Sequence, residues 1–544
     1  MHSSKLPAFL LVIVLFAGCT LIGGSEGADA VPRVGGRLVV AAPAPKSLEP
    51  SRFAPSDKTG LLLLKQICEP LVVADPVTGE LLPGAAESWE ISEDAKTVSF
   101  KLRKGMKFHN GTEVVAEDYV FSMSRFAAKD SGSELFFLLD KVAGFSDLRS
   151  GKAKSLSGLK APDAQTLVVE LSSPFAEFPA VVSHPAVGSA VPSKEAAKKR
   201  FAAKPLCTGP YEVSKRWDGK GNISLVRSED YIGIEDAYTR EGRGYADEIL
   251  LDVVRNGAAA FEKLTEDAAD VAPVPLERLA QARSLKGRVE SGANGIVTFV
   301  GLPVTKPPFN KAEYRRALAL SLDRSEIVED LLAGSRGLPR GFLPSGAGPV
   351  AGEQVCGETV VRTADRAAAQ EHFKASKVKA KDVRQKVYFN GGSGHERWLR
   401  VVSDQWKRGV GVSSRLTPLE SIQHLVDHLV AGSDGPFRWA WLASYPSPES
   451  IFGPLFAAKS PDNYSGFSSR KFERLMRKAR STLDDEARAK TYLEAGAVLC
   501  EHLPMIPVWF VENHYAFAPG IASGKGARLD ATGDPILREL GPTS

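Results

Sequence analysis

Residues Pro83–Ser122 read PGAAESWEISEDAKTVSFKLRKGMKFHNGTEVVAEDYVFS. Within this stretch, Lys96–Arg103 (KTVSFKLR) alternates apolar and polar side chains, the period of a strand with one buried face. Asn110-Gly111 marks a turn. Glu113–Phe126 then reads as a helix. Strand, turn and helix in one stretch predict mixed α and β structure.

The same mixture extends outward. Gly36–Ala42 (GRLVVAA) is a compact strand-like run, followed by a loop with Pro43, Pro45 and Pro50. Thr166–Leu171 (TLVVEL) predicts a strand between Pro162 and Pro174. Lys311–Leu332 predicts one helix with Ala317, Leu318, Leu320, Ile327 and Val328 apolar. Phe472, Leu475, Met476 and Ala479 recur at i, i+3, i+4 and i+7, an amphipathic helix. Met505–Val511 (MIPVWFV) predicts a late strand. No repeat, low-complexity tract or linker separates consecutive domains, which is consistent with lobes that the chain crosses between more than once.

The chain has 544 residues, 43% hydrophobic and 25% charged. This composition suits a globular protein with a sizeable core and excludes disordered, collagen-like and disulfide-scaffold chains. Length alone sets a prior of roughly three to four domains, or two large ones. The net charge of +4, from 69 basic and 65 acidic residues, is too small to point to nucleic acid. The lysine-rich Lys374–Lys386 reads as a solvated helix face and loop.

The amino terminus, MHSSKLPAFLLVIVLFAGCT, has one early positive charge, Lys5, and an unbroken apolar run from Ala8 to Ala17. That run is too short for a bilayer, which takes about 20 apolar residues, and fits a secretory leader. Ala17-Gly18-Cys19 resembles a bacterial lipobox, which implies cleavage before Cys19 and lipidation of its thiol. The other reading is a plain leader cut nearby. Residues 19–36 then form a tether rich in small residues. Loss of residues 1–18 removes only Lys5, so the mature charge is 68 − 65 = +3. An exported chain meets an oxidising compartment, so Cys68, Cys207, Cys356 and Cys500 can pair in any of three ways.

Catalytic signatures are missing. His395-Glu396 lacks the second histidine of a zinc-protease motif, Gly391–Gly394 runs into His395 rather than forming a nucleophile elbow, and Gly520–Lys525 is too short for a phosphate loop. No enzyme, cofactor or metal site is expected. His424 and His428 stand at i, i+4, the spacing of two ligands on one helix face, but lack a third. Ile422, Leu425 and Leu429 would form the buried stripe beside them. The segment Phe437–Phe452 (FRWAWLASYPSPESIF) is rich in aromatic side chains, which make rigid pocket walls. Strict alternation puts Trp439, Trp441 and Tyr445 on one strand face and Arg438 and Ser444 on the other. They reach one ligand only if the strand ends or twists near Leu442.

Taken together, four segments resemble the extracytoplasmic solute-binding proteins of ABC importers, in the oligopeptide, dipeptide and nickel class. They are Pro83–Ser122, Cys207–Tyr211 (CTGPY), Lys306–Val328 (KPPFNKAEYRRALALSLDRSEIV) and His502–Trp509 (HLPMIPVW). The family usually has Asp-Gly at Asn110-Gly111 and Gly at Cys207. The resemblance implies a two-lobed α/β fold of the periplasmic-binding-protein type. Lobe one would hold residues 37–297 and 504–544, with an extra subdomain near 55–190, and lobe two residues 298–503. It also implies a ligand trapped between lobes, a permease and ATPase complex as partner, a monomeric state, and attachment to the membrane by the lipid alone. The candidate ligand-binding residues are Trp441, Ser444, Tyr445, Arg438, Leu48 and Asn463. Peptide-binding members commonly carry Asp three residues after the Trp, paired with the peptide ammonium. Here Ser444 stands in its place, with Glu449 nearby, and Arg438 can fork onto a carboxylate or phosphate. Free-amine peptides held in the family's way are therefore in doubt, and an opine, oligosaccharide, glycolipid headgroup or metal chelate is the alternative ligand. A sensor or chaperone without transport is the alternative role.

Overall fold

The computed structural model describes residues 31–198, 200–234, 237–285 and 288–543. The leader, Cys19 and the tether up to residue 30 lie outside the described residues.

One sheet of eleven strands runs through the molecule. In chain order its strands are β1 (Arg37–Pro43), β2 (Tyr211–Val213), β3 (Ile223–Arg227), β4 (Glu248–Val254), β5 (Val271–Pro273), β6 (Val289–Gly301), β7 (Arg336–Gly337), β8 (Gln385–Asn390), β9 (Ser414–Leu419), β10 (Phe437–Leu442) and β11 (Met505–Phe517). Their spatial order is β9-β8-β10-β6-β11-β5-β1-β4-β3-β2, with β7 on β11. At its centre, β6 and β11 pair antiparallel from Val289↔Ala516 to Gly301↔Met505. At 13 residues each they are long enough to enter two separate cores.

The first core includes Leu38, Val40, Phe100, Tyr119, Leu225 and Ile249, with Tyr515 and Phe517 from the end of β11. The second includes Phe299, Phe309, Trp406, Phe452 and Met476, with Met505, Ile506 and Val508 from its start. Two lobes follow, joined by strands that belong to both. Four strands, Ala86–Ile91, Thr97–Leu102, Leu159–Asp163 and Thr166–Glu170, make a separate small sheet in the first lobe. Helix α1 (Lys58–Ile67) packs there with α2 (Ala116–Ala127), which starts three residues later than the predicted 113–126 helix and ends one residue beyond it. In the second lobe lie α3 (His395–Val410), α4 (Arg470–Ser481) and α5 (Asp485–His502). The face of α4 formed by Phe472, Leu475, Met476 and Ala479 is buried, as its spacing requires.

The single helix expected over Lys311–Leu332 is broken. It runs Ala312–Leu320 and resumes as a wider turn over Glu326–Leu331. Asp323 starts the second piece by accepting the Glu326 amide at 3.1 Å. Arg324, fully buried, donates to the Pro507 and Val361 carbonyls at 2.8 and 2.7 Å. The backbone amides of Arg324 and Ser325 leave the helical ladder and donate to the Arg362 carbonyl at 2.9 and 3.1 Å. Among the described residues, no helix is long and apolar enough to cross a membrane.

Of the three pairings open in the sequence, the fold takes Cys68–Cys207 and Cys356–Cys500, one bridge in each core. They span 139 and 144 residues. Closing loops of that size removes a large part of the unfolded chain's freedom. Removal of either bridge, as Cys68→Ser/Cys207→Ser or Cys356→Ser/Cys500→Ser, is expected to lower unfolding free energy by about 3–5 kcal/mol in urea titrations. An unchanged urea midpoint would contradict this.

Candidate functional site

Between the two cores lies a cavity of about 240 Å³. Phe53, Lys58, Lys65, His184 and Asp534 line it from the first lobe, and Ser345, Gly346, Leu442, Ser444 and Tyr445 from the second. Asn294 and Asn513, on the crossing strands, form part of its floor. Near this point the β6/β11 register shifts between Ala293 and Val297, and Gly295 takes a φ of +77°. Such an irregular ladder between two rigid cores is where rotation of one lobe against the other costs least.

Most charges around the cavity are committed. Lys65 Nζ donates to Asp530 at 2.7 Å and Asp534 at 2.9 Å. Burial works against its charge, but the two carboxylates hold its ammonium above the usual lysine range. Asp75 accepts from Lys525 at 3.3 Å and from the Val77 and Thr78 amides. Glu69 accepts from Tyr231 at 2.7 Å and Arg538 at 3.3 Å. Its second oxygen is buried and receives no hydrogen bond.

The structure distributes the predicted ligand residues unevenly. Ser444 and Tyr445 line the cavity. Ser444 Oγ has one long contact, 3.5 Å to the Leu442 carbonyl. Strand β10 ends at Leu442, and beyond it the chain turns towards the first lobe. Tyr445 therefore packs against the first core while Trp439 and Trp441 pack against the second. Trp441 donates its indole N–H to the Ser450 carbonyl at 2.8 Å and does not line the cavity. Leu48 is fully buried in the first core, and alternation in a loop gave no sign of that. Asn463 is a loop brace, donating to the Ala457 and Phe467 carbonyls at 3.3 and 2.8 Å. Neither lines the cavity.

Arg438 stands apart in the second lobe, beside Asn390 and His395. Its closest partner is Asn390 Oδ1 at 3.5 Å, and its Nε is buried without a hydrogen bond. Among the described residues no carboxylate pairs with it, and burial lowers its pKa to about 10. The structural salt bridge that would explain an arginine here is thus missing. His395 opens α3 next to it; burial, helped by the Arg438 charge, lowers its pKa to about 4.

Glu449 does not take over the acid role. It is buried, accepts from Arg480 at 2.6 Å and lies 3.4 Å from the Tyr492 hydroxyl. His424 and His428 share a helix over Ile422–Val430 but not a site. His424 lies 3.5 Å from Glu420, while His428 contacts Ser433 at 3.2 Å and packs on the Tyr388 ring. Leu425 and Leu429 are buried there, whereas Ile422, expected in the same stripe, is exposed at the first position of the helix. Among the described residues no group of three metal-ligand types comes together.

The residues missed in the sequence are Lys58, Lys65, His184, Asn294 and Asn513. They come from separated segments, and no local motif joins them. His184 packs on Phe53, accepts the Ala186 amide at 3.2 Å, and is held neutral: burial, with Lys65 adding to it, lowers its pKa to about 3. His109 is likewise lowered to about 4 by burial. Unfolded histidines titrate near 6.5, so the unfolded chain binds more protons between pH 6.5 and 4. Stability contributed by these groups is present above pH 6.5 and is lost as pH falls towards 4. Glu177, raised by burial to about 6 against the pull of Arg488, gives a smaller opposite slope over its upper part. The melting temperature is expected to fall across this window, and His184→Asn to flatten the fall. An identical slope in the variant would remove His184 from the account.

These geometries have relatives. The family described as Bacterial extracellular solute-binding proteins, family 5 Middle, matches residues 80–463. The periplasmic oligopeptide-binding protein OppA of Escherichia coli K12 is 26% identical over 510 residues, 88% of each chain. Among solved structures, the unliganded open form of the periplasmic murein tripeptide binding protein MppA gives a TM-score of 0.81 at 20% identity, covering 95% of this chain and 99% of that one. The Haemophilus influenzae OppA complex with RPPGFSPFR gives 0.67 at 21% identity, covering 94% and 100%. The chain belongs to the bacterial extracellular solute-binding proteins of family 5, the binding components of ABC importers.

Proposed function

We propose that this protein captures a peptide or peptide-like solute between its two lobes outside the cytoplasm and hands it to an ABC permease and its ATPase. The observation that carries this reading is the cavity itself, lined from both lobes and floored by the strands that join them. A solute touching both walls favours the state in which they approach, so binding and closure are one equilibrium.

In this reading the lobes span 37–297 with 504–544, and 298–503. The subdomain near 55–190 carries the first wall. Arg438, a half-buried cation without an acidic partner, takes the solute's carboxylate on closure. Cys19 carries the lipid that keeps the monomeric receptor near its permease. The protein performs no chemistry on the solute.

Native mass spectrometry of the domain expressed from about residue 20 is expected to show a copurified solute that is lost on denaturation. A ladder of masses in amino-acid increments would mean a peptide receptor; a single non-peptide mass would overturn the peptide reading. Arg438→Gln is expected to weaken the peptide by about ten- to hundredfold in calorimetry, the scale of a charged hydrogen bond. Ser444→Asp is expected to improve binding of free-amine tripeptides. Unchanged affinity in Ser444→Asp would move the pocket elsewhere.

A further inference from the structure

Lys58 is the odd charge in the cavity. It is the first residue of α1 and its side chain is exposed to the cleft. Its ammonium makes one hydrogen bond, 2.5 Å to Asn513 Oδ1. Among the described residues lining the cavity, it is the one lysine or arginine without a carboxylate at ion-pair distance. Lys65 has Asp530 and Asp534, and Arg538 has Glu69.

Its position is built. Asn513 is buried; its amide group donates to Asp534 at 3.0 Å, and its oxygen receives both Lys58 and, at 3.3 Å, Asn294. Asn513 thus stands between Lys58 and the nearest acid and holds the ammonium towards the cleft. Burial lowers the Lys58 pKa, opposed by Asp534 and reinforced by Arg336. A cation so placed gains from an incoming anion.

The acids show the complementary pattern. Asp75, Asp530, Asp534 and Glu69, the four carboxylates lining the cavity, are all engaged, and the free oxygen of Glu69 is sealed from the cleft. Ser444, on the facing wall, offers a hydroxyl only. A solute ammonium entering here would meet Lys58 and no uncommitted acid, and desolvating it unpaired is unfavourable.

We propose that Lys58 is a specificity-determining residue: it receives a carboxylate of the bound solute and turns this end of the cleft against a free ammonium. The proposal rests on the cleft being the ligand site, as read above. The carboxylate can come from a peptide C-terminus or from an acidic group elsewhere on the solute.

Calorimetry with trialanine, trialanine amide, N-acetyl-trialanine and N-succinyl-trialanine amide separates these cases. The expected result is that a carboxylated, amine-blocked form binds about tenfold or more tightly than trialanine amide. Lys58→Met and Lys58→Gln should remove a matching part of that preference. Whether the acetyl or the succinyl form binds best identifies the source of the carboxylate. Peptide binding without such a preference, or a preference unchanged in both Lys58 variants, overturns the proposal and leaves peptide capture standing. If no peptide binds, thermal shifts with benzoate and succinate decide. Stabilisation of wild type but not of the Lys58 variants keeps the anion site and ends the peptide reading, and no shift with either acid ends both. Melting curves of the two variants serve as the folding control.

Discussion

The ladder between β6 and β11 is the constraint on which the rest depends. These strands are the shared centre of the sheet; β11 gives one end to each of the two large cores, and β6 enters the second through Val297, Phe299 and Val300. Their backbone groups pair with each other from Val289↔Ala516 to Gly301↔Met505, so this ladder ties the lobes together. Movement is left to the irregular middle, residues Ala293–Val297, where the register shifts. The same stretch supplies Asn294 to the cavity floor, and the facing strand supplies Asn513. Under the proposed function, hinge and ligand floor are one piece of structure, which couples what is bound to how the lobes stand.

Around that centre, charge is used in two ways. Buried pairs hold the architecture: Glu177 accepts from Arg488 at 3.0 Å, tying the first lobe to α5, and Arg480 pairs with Glu449 within the second. The Ala176 amide also donates to the Arg480 carbonyl at 2.8 Å, so the lobes meet at a second place beside the hinge strands. Breaking such a pair is costly because it strands a buried charge. The uncommitted groups are few. Lys58, Arg438 and the Ser444 hydroxyl can respond to a solute because, among the described residues, neither cation has a carboxylate at ion-pair distance and the hydroxyl makes one long contact. Selectivity in this cleft comes from absent partners as much as from present ones.

Local pattern carried a good part of the architecture. The strand at Thr97–Leu102, the glycine turn at Gly111 and the buried face of α4 follow from side-chain period and backbone freedom, which act over a few residues. Linked motifs carried the family and the two-lobed α/β class. The break at Ser321–Ser325 escaped because its partners are distant: the Arg324 and Ser325 amides bond to the carbonyl of residue 362, and the Arg324 side chain to those of residues 361 and 507. The disulfide partners escaped for the same reason, since pairing depends on proximity in space and not on spacing in the chain.

The site divides along the same line. Ser444 and Tyr445 line the cavity, and an aromatic strand ending at a proline-rich loop was the local signal that pointed to them; Arg438, on the same strand, lies outside that lining. Leu48 and Asn463 were not separable from core and loop residues without their neighbours. By itself, the sequence determined the class of fold, the order of its elements and the missing acid at position 444, because these rest on residue type and short-range period. Only the tertiary structure decided which charges are already paired, and hence that Lys58 and Arg438 remain for a ligand. Ion pairing is a property of atoms within a few ångströms of each other, and those atoms come from segments hundreds of residues apart, such as Lys65 and Asp530.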